Sequence, residues 1–197
     1  MVYALLVHSL DTDTCDVLVS FFFTPEGNDG HRKRRECAIA DMVCHDYAFR
    51  RQCDAFADGL PSSERALEET VSQQPSSNDA EEYMGVFTLP PSPFVAEAMT
   101  ILWKRCGTVG YSLVLEQHEN RLLAINFLTI FENTLREHFK VAKTIAAWDH
   151  ADVKSRPEEV AALVNHHIPS GRLLFATPAL AAHFRKETAD TLLSSQK

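Results

Sequence analysis

The chain has 197 residues, 45% hydrophobic and 23% charged, with 27 Asp and Glu against 19 Lys and Arg and a net charge of −8. That length and composition suffice for one globular domain with its own core, and the acidic balance excludes nucleic-acid binding through a broadly basic surface. No run approaches the ~20 apolar residues of a membrane span, and five cysteines without a Cys-x-x-Cys spacing point to a reducing compartment rather than a disulfide framework.

The opening, Met1–Leu10, is apolar but has no basic n-region and no small-residue cleavage site, so it reads as structure rather than as a signal peptide. The second residue is Val2, where myristoylation needs glycine, and the C-terminus carries no prenylation box, so membrane residence is expected only through partners. Val2–Leu10 and Asp16–Thr24 read as two strands, joined by the turn-like stretch Asp11 to Thr14 into a hairpin. Phe21, Phe22 and Phe23 run on without alternation, which implies cover on both faces of the sheet.

A helix is predicted from about His31 to Asp58. Its apolar side is thin (Ile39, Val43, Cys44, Tyr47), and Gly59-Leu60-Pro61 stops it. Three of the cysteines, Cys37, Cys44 and Cys53, fall on this helix, where free cysteine behaves as a small buried hydrophobe. The basic run His31 to Arg35 reads as a solvated helix end, with a nuclear-import or phosphate-binding patch as the alternative. Pro61–Glu82 is polar, acidic and Ser-rich, and reads as a solvated or disordered insert. Order is expected to return at Tyr83–Leu89.

Met99–Cys106 and Tyr111–Gln117 read as strands around the turn Gly107–Gly110, and His118-Glu119-Asn120 turns the chain into a long helix with Asn120 as N-cap. Wound at ~100° per residue, the helix places Asn126, Thr129, Glu132, Asn133, Arg136, Glu137 and Lys140 on one arc. Leu123, Phe127, Leu128, Ile130, Phe131, Leu135 and Phe139 fill the opposite half. That apolar face spans nearer ~180° than the ~100° of an ordinary surface helix, so these seven residues are candidates for the core or for a partner interface.

Downstream, Ser155-Arg156-Pro157-Glu158 reads as a capping box with proline in the first turn of the next helix, which Ile168 to Gly171 ends. Arg172–Ala176 is a short extended piece, and Thr177 and Pro178 supply N-cap and N1 for a last helix to about Leu193. The order of elements predicts an α+β fold with a mainly antiparallel sheet covered by helices.

Chemical motifs are sparse. Gly107 to Gly110 lacks the third glycine and the lysine of a phosphate loop, and Gly110 to Val114 lacks the second glycine of a nucleophile elbow, leaving Ser112 as a strand residue. His118-Glu119 would need a second histidine at position 122 for a zinc-protease helix, and that position is Leu122. Cys44-His45 and His166-His167 are adjacent pairs whose side chains diverge by ~100° on a helix. No cofactor or metal is therefore expected. The enzymatic alternative is a hydrolase using Cys106, His118 and Glu119, which requires these side chains to converge.

Three segments carry a family resemblance: Met1 to Leu10, Tyr111 to Ala124 with the helix that follows, and Ile168 to Phe175. Together they resemble the small (sigma) subunits of the heterotetrameric adaptor-protein complexes, most closely that of the fifth complex. The resemblance implies a longin-like fold over 1–197, an antiparallel sheet of about five strands sandwiched by helices, with the 61–82 insert longer than the corresponding connection of standard sigma subunits. It also implies a non-catalytic cytosolic subunit working beside two large chains (zeta and beta) and a medium (mu) chain, packed against zeta. It further implies association through the complex with spatacsin and spastizin at late endosomes and lysosomes, in endosomal protein transport. No feature of the sequence supports a DNA-binding or DNA-repair role. The alternative of the same fold is a longin-type module that regulates a small GTPase or a transport partner.

Overall fold

The computed structural model describes residues 1–10, 15–58, 83–92, 95, 97–140, 150–174 and 177–195; the predicted insert at 61–82 lies outside the described residues. The opening hairpin forms as expected: β1 (Val2–Ser9) pairs antiparallel with β2 (Val17–Phe22), Leu5 opposite Phe21 and Val7 opposite Val19. The other strands are β3 (Tyr83–Leu89), β4 (Met99–Cys106) and β5 (Val109–Glu116), and the five form one antiparallel sheet in the order β2-β1-β5-β4-β3. The N-terminal strand thus lies beside β5, and β2 and β3 form the two edges.

Helices cover both faces. One face carries α1 (Arg32–Asp58) and the other carries α2 (Arg121–His138), with α3 (His150–Ser155), α4 (Pro157–His167) and α5 (Pro178–Ser195) arranged around α2. Each of the three interior strands is buried almost throughout, so it has to be apolar toward both layers. Along β4, Ile101 and Trp103 enter the α1 layer while Leu102 and Cys106 enter the α2 layer. Along β5, Tyr111, Leu113 and Leu115 face α2 and Val114 faces α1. The blurred alternation of β1 has a further cause, a register shift against β5 between Val2 and Ala4.

Several local signals act as the sequence indicated. Asn120 caps α2, its side-chain oxygen accepting from the amides of Leu122 and Leu123 at 3.0 and 3.1 Å. Thr177 Oγ1 accepts from the Leu180 amide, and Pro178 opens α5. Ser170 and Gly171 take positive φ (51° and 77°) where α4 ends, a conformation that glycine adopts without cost.

Other signals act differently. Ser155 is the last residue of α3 rather than a cap of α4; Arg156 occupies the N-cap position with no side-chain cap hydrogen bond, so the capping box does not form. The basic end of α1 is only in part solvated. Arg35 is buried, pairs with Asp29 at 2.6 Å and donates to the Gly27 carbonyl, while Arg32 ties Glu36 and the Ser20 carbonyl together. Two of these cations therefore staple the loop before α1 to its first turns. On the same helix Cys37 and Cys53 are exposed and Cys44 is half-buried, so the cysteines are not the buried hydrophobes expected.

Candidate interaction site

Helix α2 is the most deeply set of the helices. Of the seven candidate residues, Phe127, Leu128, Phe131, Leu135 and Phe139 are buried in the chain's own core, and Leu123 and Ile130 are half-buried. Phe131 stacks on Phe127 (centroids 5.4 Å apart) and meets Tyr111 of β5 and His167 of α4 edge-on. Such packing anchors the helix to sheet and bundle at once.

The polar arc is where helical periodicity misleads. Glu132 is buried, and its carboxylate pairs with Lys104 of β4 at 2.9 Å and with Arg136 at 3.0 Å. Burial opposes its ionisation, but the charges and hydrogen bonds of Lys104 and Arg136 outweigh burial and hold the carboxyl below its ordinary range. Thr134, also buried, donates to the Ile130 carbonyl within its own helix. The signal for this network was a lysine inside an apolar strand, Trp103-Lys104-Arg105-Cys106, which alternation places on the α2 side.

The α1 face holds a second buried polar contact that sequence reasoning missed. His8 and Ser112 share a 2.7 Å hydrogen bond across β1 and β5, and His8 Nδ1 donates to the Ser9 carbonyl. Full burial lowers the His8 pKa to about 4, so the ring is neutral. The sign of this pair was Gly110, which lies opposite His8 in the register; a Cβ there would come within 2.4 Å of the imidazole.

The supposed hydrolytic trio does not assemble. Cys106 closes the β4–β5 hairpin beside Val109, whereas His118 and Glu119 follow the far end of β5, where Glu116 pairs with Met99. Roughly 23 Å of strand separates those ends at ~3.3 Å per residue. Burial, then the negative charge of Glu132, pushes the Cys106 thiol up to about 12, which leaves it protonated and unreactive. Glu119 is engaged by the Met1 ammonium at 2.8 Å, and that contact holds its carboxyl below the usual range. Among the described residues no group of three or more His, Cys, Asp or Glu side chains gathers where an ion would be held, and no helix is long and apolar enough to cross a membrane.

What α2 offers instead is a rim. Leu122 is 78% exposed at its N-terminus, next to half-buried Leu123 and Ile125. Two turns on from Leu122, Ile130 and then Thr134 face Ala181 and Ala182 of α5 across a shallow cleft of about 180 Å³, spanned by the Arg185–Glu137 ion pair.

A family model described as "AP-5 complex subunit sigma-1" matches residues 1–189. The chain belongs to the AP-5 sigma-1 family. A human relative named AP-5 complex subunit sigma-1 (Homo sapiens) is 26% identical over 205 residues, covering 95% of this chain and 96% of the relative. The mouse protein of the same name (Mus musculus) is 29% identical over 175 residues, covering 80% and 99%. The fold is also similar to a chain in a homology model of the full-length AP-3 complex in a stretched open conformation, with a TM-score of 0.56 at 15% identity over 100% of this chain and 98% of that one. AP-5 sigma membership carries a non-catalytic role as the small subunit of an adaptor complex with large and medium subunits. The five-stranded sheet between helical layers agrees with the longin-like architecture expected of such a subunit.

Proposed function

We propose that the chain acts as one longin-like unit over 1–197 that packs against the zeta large chain of the adaptor complex, beside beta and mu, and that the complex carries it to late-endosomal and lysosomal membranes. In this reading it never meets the bilayer itself, and spatacsin and spastizin are reached through the assembled complex. Its work is the retrieval of cargo by vesicle-mediated transport. The observation that carries the reading is the division of labour along α2: an aromatic core seam holds the helix rigid while Leu122, Leu123 and Ile130 remain at its surface. Apolar side chains presented from a rigid element suit the centre of a stable protein interface.

Leu122→Asp combined with Ile130→Asp, in a tagged chain co-expressed with the two large chains and the medium chain, tests it. The expected result is at least a tenfold loss of large-chain recovery with the chain still soluble and folded by circular dichroism. Undiminished recovery removes α2 from the interface. Recovery of a small GTPase in place of the adaptor chains favours the regulatory module instead.

A further inference from the structure

Two of the cysteines meet across elements that are distant in the chain. Cys15 stands just ahead of β2, and its Sγ donates to the Ala40 carbonyl of α1 at 3.2 Å, 25 positions along the sequence. In an α-helix that carbonyl points toward residue i+4, so a thiol bonded to it lies beside the following turn. Cys44 is the i+4 neighbour of Ala40 and occupies that turn. The Cys44 thiol is accordingly hydrogen-bonded to Cys15. On its other side the Cys15 Sγ lies 3.5 Å from Nδ1 of the buried His8, so a strand, a helix and the chain entering β2 converge on one sulfur.

Access and reach separate this pair from the other thiols. Cys15 and Cys44 are both half-buried, and Cys15 lines an open cleft of about 480 Å³ between β2, α1 and Lys154 of α3. A small oxidant can therefore reach the pair. Cys106 is buried in the opposite layer, against α2. Cys37 lines the same cleft as Cys15, but it lies in the turns behind the Ala40 carbonyl. Cys37 and Cys53 each stand more than ~10 Å from Cys44 along the helix axis, at ~1.5 Å per residue. Burial, then the neighbouring Cys44, Asp41 and Asp16, pushes the Cys15 thiol up to about 12. Cys15 thus stays protonated and is not the sulfur that an oxidant attacks first.

We propose that Cys15 and Cys44 form a reversible, peroxide-responsive disulfide that ties the start of β2 to α1. In the reducing setting to which the cysteine pattern points, the pair rests as two thiols. Hydrogen peroxide oxidises Cys44: its sulfur takes one oxygen as the O–O bond breaks, giving a sulfenic acid and one water. The Cys15 sulfur then attacks the Cys44 sulfur. The S–O bond breaks, and the hydroxide leaves with the Cys15 proton as a second water. The two thiols lose two electrons and the peroxide gains them; a dithiol reductant restores both thiols and is itself oxidised to its disulfide. The bond fastens an edge strand to the helix on the face away from α2, so it leaves the surface of α2 unchanged.

The test uses the full chain purified from cells through a tag, with the subunits that accompany it, reduced, desalted and exposed to hydrogen peroxide at neutral pH. Free thiols are blocked with N-ethylmaleimide in denaturant, and the chain is digested without reductant for mass spectrometry. The expected product joins the Cys15 and Cys44 peptides, falls at least tenfold on treatment with dithiothreitol and disappears in Cys15→Ser and Cys44→Ser alike. The sulfenic-acid trap dimedone is expected to label Cys44 in the Cys15→Ser chain and to leave Cys15 unlabelled in the Cys44→Ser chain. The map of the unsubstituted chain decides by itself if either variant fails to fold. Both cysteines recovered as maleimide adducts overturn the proposal. So does a cross-link from either one to Cys37, Cys53, Cys106 or another chain in place of this pair, or dimedone on Cys15 and none on Cys44.

Discussion

Helices α1 and α2 lie on opposite faces of one sheet and use their residues in opposite ways. Helix α2 sends its large aromatic and aliphatic side chains inward, together with the carboxylate of Glu132. Helix α1 commits Ile39, Val43 and Tyr47 to the core and leaves two phenylalanines in solvent. The contrast separates holding the fold together from presenting it. A helix whose aromatic seam anchors the core tolerates little change there, whereas the exposed phenylalanines of α1 leave room for polar replacement.

The sharpest way to break that contrast is the same substitution on each helix. Phe131→Asp removes a buried aromatic, worth about 3–5 kcal/mol on truncation alone, and buries an unpaired charge besides. Against a total stability of about 5–15 kcal/mol the chain is expected to be insoluble or unfolded. Phe56→Asp is expected to stay within about 0.5 kcal/mol of the unchanged protein. Urea unfolding of both variants reads the difference, and a folded Phe131→Asp protein would remove α2 from its anchoring role.

The next largest effect belongs to the ion network beneath α2. Lys104→Ala leaves the buried Glu132 carboxylate with Arg136 as its remaining cation and is expected to cost about 3–5 kcal/mol. Lys104→Met combined with Glu132→Leu keeps the volume without the charges, and is expected to cost less than either truncation to alanine. A double change that costs as much as the sum of its parts would show that the two residues act independently.

On the α1 side the comparison is sharpened by pH. The folded pKa of His8 lies near 4, below its unfolded value of 6.5, so its neutral form favours the folded chain. That contribution is complete above pH 6.5, declines as the pH falls because the unfolded chain takes the proton first, and is lost by about pH 4. The full loss is about 3 kcal/mol. His8→Gln is expected to flatten the pH dependence of the unfolding free energy between pH 7 and 4.5, and an unchanged slope would show that His8 is not held neutral in the folded chain.

The fold was legible wherever one residue type settled a local question. Asn120 and the Thr177-Pro178 pair marked helix starts, Gly107 and Gly171 marked turns, and the unbroken run Phe21 to Phe23 marked a sheet covered on both sides. Sequence reading failed where a polar side chain found a partner far along the chain. Helical spacing places Glu132 toward solvent, because spacing describes one helix and carries no knowledge of Lys104 on a strand 28 positions earlier. His8 escaped for the same reason, paired with Ser112 on another strand, whereas Arg35 escaped because its partner Asp29, only six residues away, sits in a loop whose path helical spacing does not describe. The exposed phenylalanines of α1 were not legible because Phe49 and Phe56 lie off the apolar side that Ile39, Val43 and Tyr47 define by helical spacing.

The central claim is that this chain works as a stoichiometric structural subunit. The native mass of the assembly purified from cells through a tag on this chain tests it most directly. The account predicts one copy each of the two large chains, the medium chain and this chain. Recovery of the chain as a free monomer, or with a small GTPase and no adaptor subunits, would contradict it.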